Sequence, residues 1–543
     1  MVSCPGGWPL RRCARACARA LYFLCFLFVL ARPAPALAHA ALISTAPLGG
    51  SVLASPPAQA ELVFDEPVSP LVFTLISPDG KTVSLHRVRQ KNDRVLIDLP
   101  PLAGKGTFGL SWRVVSADGH PVGGTFVFSV GAPGGAKIAR GHRNVMRDAA
   151  IWLGRFLLYA CLFFGVGAAL FRAWARRGPA AAPGIAVAVL AAGVLLVPAT
   201  VALQGLDALN APFSAWLRPN VWQTALATSY GMSAALSLAA LLLALVSLAV
   251  DRRPARVLAL AAMVAVGLAL AASGHASTAA PRWLARPAVW LHGVAVGCWL
   301  GSLVPLWRML ERPGPAASEN LQWFSRWIKL AVAALAISGL ALVYLQFDRV
   351  SSLWRTSYGQ VLMVKLALLV VLFGLAVYNR YRLTARVVGG DVDAARAMRR
   401  VIAAEIGVAL CVLAVVSVWR FTMPPRTMAM AESVRPVSFH VHTPQAMAMV
   451  TITPPHGHHP AAMDIALMKN DGGVLEPEQV TVYFSDAAAG VQPVRRAARR
   501  QADGTWRIAR LNLPPLGAWT VRIDALVSDF DRIRLETKVR LGF

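Results

Sequence analysis

Eight long apolar runs constrain this chain more than any other feature: residues 149–172, 183–204, 222–250, 256–274, 286–308, 327–347, 358–379 and 401–421. A helix rises about 1.5 Å per residue, so roughly 20 apolar residues cross the ~30 Å hydrocarbon core of a bilayer. Inside hydrocarbon every backbone group must be bonded within its own segment, which predicts eight helices and a bundle of them. Composition agrees, since 56% of the 543 residues are hydrophobic and only 15% are charged.

The arginines orient the bundle. One set of loops carries Arg172, Arg176 and Arg177, then Arg252, Arg253 and Arg256, then Arg308, Arg312 and Arg326. The last loop on that side adds Arg380, Arg382, Arg386, Arg396, Arg399 and Arg400. The opposite loops hold only Arg218, Arg282, Arg286, Arg349 and Arg355. Positive charge stays on the cytoplasmic side, so both ends of the bundle face outward. The net charge of +27 does not point to nucleic acid, because many of these arginines flank apolar runs and no nucleic-acid-binding motif is present.

The N-terminus agrees independently. Arg11, Arg12, Arg15 and Arg19 precede an apolar run from Leu21 to Ala31, followed by Ala36-Leu37-Ala38. This is the pattern of a secretory signal, residues 1–38. A cut after Ala38 makes His39 the new N-terminus; a cut after Ala40 fits the same small-residue rule and removes it. Cys161, Cys298 and Cys411 lie within apolar runs and the other four cysteines in or before the signal's apolar run, so no disulfide framework is expected.

Residues 39–132 alternate with the period of strands, as in Glu61–Phe64, Leu71–Ile76, Arg94–Asp98, Phe108–Val115 and Thr125–Val130. Short strands broken by Pro and Gly predict an Ig-like β-sandwich. Gly131-Ala-Pro-Gly-Gly135 is a linker, and residues 148–424 hold the spans. Residues 433–543 return to short strands (Gln479–Phe484, Trp506–Leu513, Trp519–Leu526, Arg532–Leu541), a second small β-sandwich outside the membrane. The fold class is therefore mixed, with an eight-helix transmembrane bundle between two β-domains.

Asp118 and His120 stand two apart across Gly119, so on extended backbone their side chains leave one face. Carboxylate and imidazole make half of a site for a divalent metal such as copper. A processed His39 would add amine and imidazole from one residue. Without His39, Asp-Gly is ordinary turn chemistry. His86, polar and isolated, reads as a surface residue.

The stretch from His39-Ala-Ala-Leu42 through Phe64-Asp-Glu-Pro-Val68 to Trp112–His120, with Ser116-Ala-Asp-Gly-His-Pro121 its strongest motif, resembles the periplasmic copper protein CopC. The region after it resembles the membrane partner CopD. The resemblance implies a bacterial inner-membrane protein with periplasmic β-domains and a copper site at His39, Asp118 and His120. It also implies transfer of copper across the membrane, inward, in homeostasis or resistance. No Met lies between His39 and Met146, so the N-terminal domain is expected to hold Cu(II) alone. Copper ions, the lipid bilayer and periplasmic copper chaperones are the expected partners, and nucleic acid is not.

Polar residues within spans are costly and are functional candidates by default. His275 and His292, close to a short outer loop, are expected at similar depth as a copper path. The alternative for such a pair is axial ligation of haem b, in an electron-transfer protein or cupric reductase. Arg155, Asp207, Lys365 and Glu405 are expected to pair within the bundle or snorkel, and Met232 and Cys298 to pack in the core. Past the spans, Met428, Met430, His440, His442, Met447 and Met449 are soft-ligand candidates for Cu(I), with His456, His458, His459 and Met463 close behind. No Walker A sequence is present and no catalytic residues are expected.

Overall fold

The computed structural model describes residues 40, 42–102, 104–116, 119, 121–132, 144–175, 183–433, 436–455, 460–486, 490–501, 503–511 and 516–542. Its N-terminal part contains β1 (Leu42–Ala46), β2 (Val52–Leu53), β3 (Gln59–Phe64), β4 (Ser69–Ile76), β5 (Thr82–Ser84), β6 (Val88–Lys91), β7 (Arg94–Asp98), β8 (Gly106–Val115) and β9 (Pro121–Val130). They form two sheets, β1-β3-β7-β6 and β2-β9-β8-β4-β5. In β8 Phe108, Leu110, Trp112 and Val114 are buried while Thr107, Ser111 and Arg113 are half-buried, and the alternation breaks only at Gly109 and at Val115, which are buried too. Trp112 meets Phe64 of the other sheet edge-on at 5.2 Å, and within its own sheet Phe108 stacks on its cross-strand partner Phe128 at 5.8 Å. His86 is exposed.

Eight helices are long and apolar enough to cross a membrane: Val145–Trp174, Gly184–Leu209, Ser229–Ala249, Arg252–Ala272, Arg282–Met309, Pro315–Gln346, Ser357–Val388 and Val392–Ala429. The third differs from expectation. The apolar run 222–250 is split at Thr228 into a short helix, Pro219–Ala227, and the span proper. Thr228 is extended and its hydroxyl accepts from the Tyr230 N–H, capping the span. Between the first and fifth spans the backbones touch: a β-carbon on Gly167 would stand 2.1 Å from the Gly297 carbonyl oxygen. Without a hydrophobic drive between helices in lipid, such close approach is what holds a bundle together. Leu195, Ile337, Leu340 and Val370 are exposed on the outside, as a bilayer-facing surface requires.

The C-terminal part contains β10 (Val437–His442), β11 (Ala446–Thr453), β12 (Ala462–Lys469), β13 (Gln479–Asp486), β14 (Val491–Ala497), β15 (Arg499–Arg500), β16 (Trp506–Ile508), β17 (Leu516–Ser528) and β18 (Asp531–Gly542). Sheets β10-β11-β12-β16-β15 and β14-β13-β17-β18 face one another over Ile465, Phe484, Trp519 and Ile523. Met463 belongs to that core and is fully buried. The two β-domains touch, because Leu48 and Val52 cluster with Met449, Ala466 and Met468.

Candidate functional site

His39, Asp118 and His120 lie outside the described residues. Gly119, between the last two in sequence, is described and buried. Its N–H donates to the Ser116 carbonyl at 2.9 Å, and its own carbonyl accepts from Gln204 Nε2 at 3.0 Å. A φ of +87° puts it in the left-handed region, and a β-carbon there would stand 2.3 Å from Ser229 Oγ and 3.5 Å from Ser273 Oγ. Backbone conformation and contact both require glycine here. Gln204 lies in the second span, five residues before its end at Leu209, Ser229 starts the third, and Ser273 follows the fourth. Gly119 is thus seated where three spans open toward the N-terminal domain.

Ser273 also lines a cavity of about 40 Å³ between the first, third and fourth spans, together with Arg155, Tyr159, Tyr230, Ser233 and Ser237. Ser233 Oγ donates to the Ala269 carbonyl at 2.7 Å and Ser237 Oγ to the Ser233 carbonyl at 2.8 Å. Each hydroxyl spends its proton on backbone and keeps its lone pairs, so the cavity is an oxygen-rich space large enough for water.

His275 opens the short helix His275–Thr278, two residues past Ser273 and beyond the end of the fourth span. His292 lies in the fifth span, its Nδ1 3.2 Å from Ser338 Oγ of the sixth. Ser338 Oγ donates to the Ala334 carbonyl at 2.6 Å. That hydroxyl therefore accepts from Nδ1–H, an assignment from the network that leaves Nε2 with its lone pair. Among the described residues no three of His, Cys, Asp and Glu group as a metal site.

Three family models match along the chain: the CopC domain at residues 42–131, the Copper resistance protein D-like N-terminal domain at 146–283, and Copper resistance protein D at 318–419. Copper resistance protein D of Pseudomonas syringae pv. tomato is 30% identical over 308 residues, 52% of this chain and 98% of that protein. This chain belongs to the CopC–CopD copper-resistance family. The Copper transport protein CutJ of Bacillus subtilis (strain 168) is 22% identical over 540 residues, 95% of this chain and 98% of that one. A crystal structure of CopC from Methylosinus trichosporium OB3b is 26% identical, with a TM-score of 0.16, covering 20% of this chain and 99% of that chain. Family membership makes the function copper-related and the ligand copper, in a multi-pass membrane protein.

The remaining polar groups of this CopC–CopD fusion sort by partner. Asp207, which was expected to pair within the bundle or snorkel, is a hub. Its carboxylate takes Arg420 at 2.7 Å, Arg147 at 3.5 Å and Arg113 of β8 at 3.8 Å, and its backbone carbonyl accepts from Arg113 Nη2 at 2.5 Å. Arg147 also donates to Asn210 Oδ1 at 2.8 Å. Burial pushes the Arg113 guanidinium below its usual range, against the pull of Asp207. Glu405 accepts from Asn379 at 2.8 Å, Lys365 lies 5.0 Å above the Trp419 ring, and Arg155 donates to the Tyr159 hydroxyl at 3.3 Å. Cys298 packs against the core as expected, but Met232 does not: it is 62% exposed on the outside of the bundle. A third-span position so close to the helix start faces away from the neighbours that bury Tyr230, Gly231 and Ala234.

At the C-terminus Met428 is exposed, the side chain of Met430 is outside the described residues, and so are His456, His458 and His459. His440 and His442 on β10 and Met447 and Met449 on β11 share one face. Gln204, Ser229 and Ser273 escaped the sequence reading, because single neutral polar residues in or beside a span carry no spacing signal.

Proposed function

We propose that this protein captures Cu(II) on its exported N-terminal domain and passes copper inward across the bacterial inner membrane, with both β-domains in the periplasm. His39, Asp118 and His120 hold the ion. His275 and His292 relay it, and periplasmic copper chaperones supply it. The observation that carries the reading is the seat of Gly119 on Gln204, Ser229 and Ser273. An ion released by the residues flanking Gly119 in sequence enters beside Ser273, two residues from His275 and on the wall of the oxygen-lined cavity. The lone pair left on His292 Nε2 suits a metal ligand further in. No bond of a substrate is made or broken, so no catalytic residue is assigned.

The test is cell copper with and without the protein. Import raises it; a fall would reverse the direction. His120→Ala should lose Cu(II) binding and accumulation together. His275→Ala and His292→Ala should lose accumulation while Cu(II) binding persists, and the exposed His86→Ala should change neither. A mature protein that begins at Ala41 would remove the capture site, and a reducible Soret band would replace the relay with haem.

A further inference from the structure

The outer face of the C-terminal sheet sets imidazole against sulfur in register. On β10 and β11, His440 is directly opposite Met449 and His442 directly opposite Met447. One strand further, Met468 is opposite Met447. Directly opposed residues of an antiparallel pair share a face, with β-carbons about 4.5–5.5 Å apart. The intervening Val441, Ala448 and Val450 go to the opposite side, into the domain core. The two imidazole rings lie 6.3 Å apart between centroids, tilted by 30°.

Burial divides these groups. His440 and His442 are exposed, Met447 is half-buried, and Met449 and Met468 are buried. What covers the sulfurs is the N-terminal domain: Leu48 and Val52 pack on Met449 and Met468, and a β-carbon on Gly50 would stand 3.4 Å from Met449 Sδ. The domain that has no methionine of its own is thus pressed against a methionine face from the other end of the chain. Packing explains a row of apolar side chains at this seam. Leucine would fill it equally, and nothing in packing asks for an exposed histidine opposite each methionine.

We propose that His440, His442, Met447 and Met449 form a second copper site, selective for Cu(I), at the seam between the two β-domains. Thioether and imidazole are the donors a soft monovalent copper ion prefers. Imidazole and thioether donors bring no negative charge, so nothing in the ligand set offsets a second positive charge on the metal. The sulfur side is sheltered from water, where a divalent ion costs far more to desolvate than a monovalent one. The imidazole side is open and gives the ion its way in. The site stands on the C-terminal face alone and does not depend on the direction of transport or on His39.

The experiment is an anaerobic titration of the full-length protein in detergent with Cu(I) held by bicinchoninate, beside a Cu(II) titration. Met447→Leu with Met449→Leu keeps side-chain volume and hence the seam. His440→Gln with His442→Gln alters only exposed groups. Each pair should weaken Cu(I) binding by at least the ~10–100-fold that loss of a supporting ligand contact costs, with Cu(II) affinity unchanged. The copper absorption edge should lose its sulfur shell in the leucine pair. Unchanged Cu(I) affinity in both pairs overturns the site. A loss confined to the histidine pair, with no sulfur around the metal, overturns the mixed-donor assignment. If Cu(II) binding fails in the parent protein while the Cu(I) result holds, the capture reading falls and this site stands.

Discussion

The N-terminal β-domain meets the bundle through charges and backbone carbonyls, whereas the C-terminal β-domain meets the N-terminal one through sulfur and methyl groups. At the first contact Arg113 reaches Asp207, and Gln204 donates to Gly119. At the second, Leu48 and Val52 lie on Met449 and Met468. Hydrogen bonds and ion pairs are directional and fix one orientation, which suits a turn that must sit over a given opening. Apolar contact is non-directional, and methionine adapts its shape, so a seam of this kind can shift without breaking. The donor sets proposed for the two sandwiches share imidazole and differ in the rest, carboxylate for the N-terminal domain and thioether for the seam.

Asp207→Asn should break the first contact with the largest effect. Three guanidiniums then lose the Asp207 carboxylate, and loss of one partner from a buried ion cluster costs about 3–5 kcal/mol. Thermal unfolding of the detergent-purified protein reads this, and an unchanged midpoint would show that the charges do not seat the domain. Gln204→Ala is smaller. It leaves the buried Gly119 carbonyl without its donor, at a cost of about 1–3 kcal/mol. Copper accumulation should fall while Cu(II) affinity stays, since no proposed ligand is touched; equal accumulation would mean that the seat plays no part in transfer.

The smallest effect tests the C-terminal domain. Burial raises the Asp464 carboxyl above the usual range, partly offset by Arg507 at 3.5 Å. A raised acid binds its proton more tightly when folded, so the contribution of this group to stability declines as pH rises from the ordinary aspartate range to the raised value. Asp464→Asn should remove that slope from denaturant unfolding measured between acid and neutral pH. A slope that persists would place its origin elsewhere in the domain.

Most of the fold was legible in the sequence because its signals are periodic and long. Seven of the eight apolar runs match single spans, and Arg94–Asp98 is a strand with the bounds expected for it. The split at Thr228 was not legible, since an apolar run shows neither a cap nor a sharp turn between helices. Of the site, the alternation that puts His440 beside His442 and Met447 beside Met449 is a property of each strand. That the histidines oppose the methionines is a matter of register, which turns and neighbouring strands decide.

By itself, then, the amino-acid sequence determined the spans, the side on which both β-domains are expected, and the residue types available to bind copper. These depend on local composition and on period. Only the tertiary structure decided that Asp207 gathers arginines from β8 and from the first and eighth spans, that Gly119 is seated on side chains from three spans and their ends, and that the methionine face of one sandwich covers the other. Each of these joins residues from distant parts of the chain, and long-range pairing leaves no mark on the spacing of neighbours.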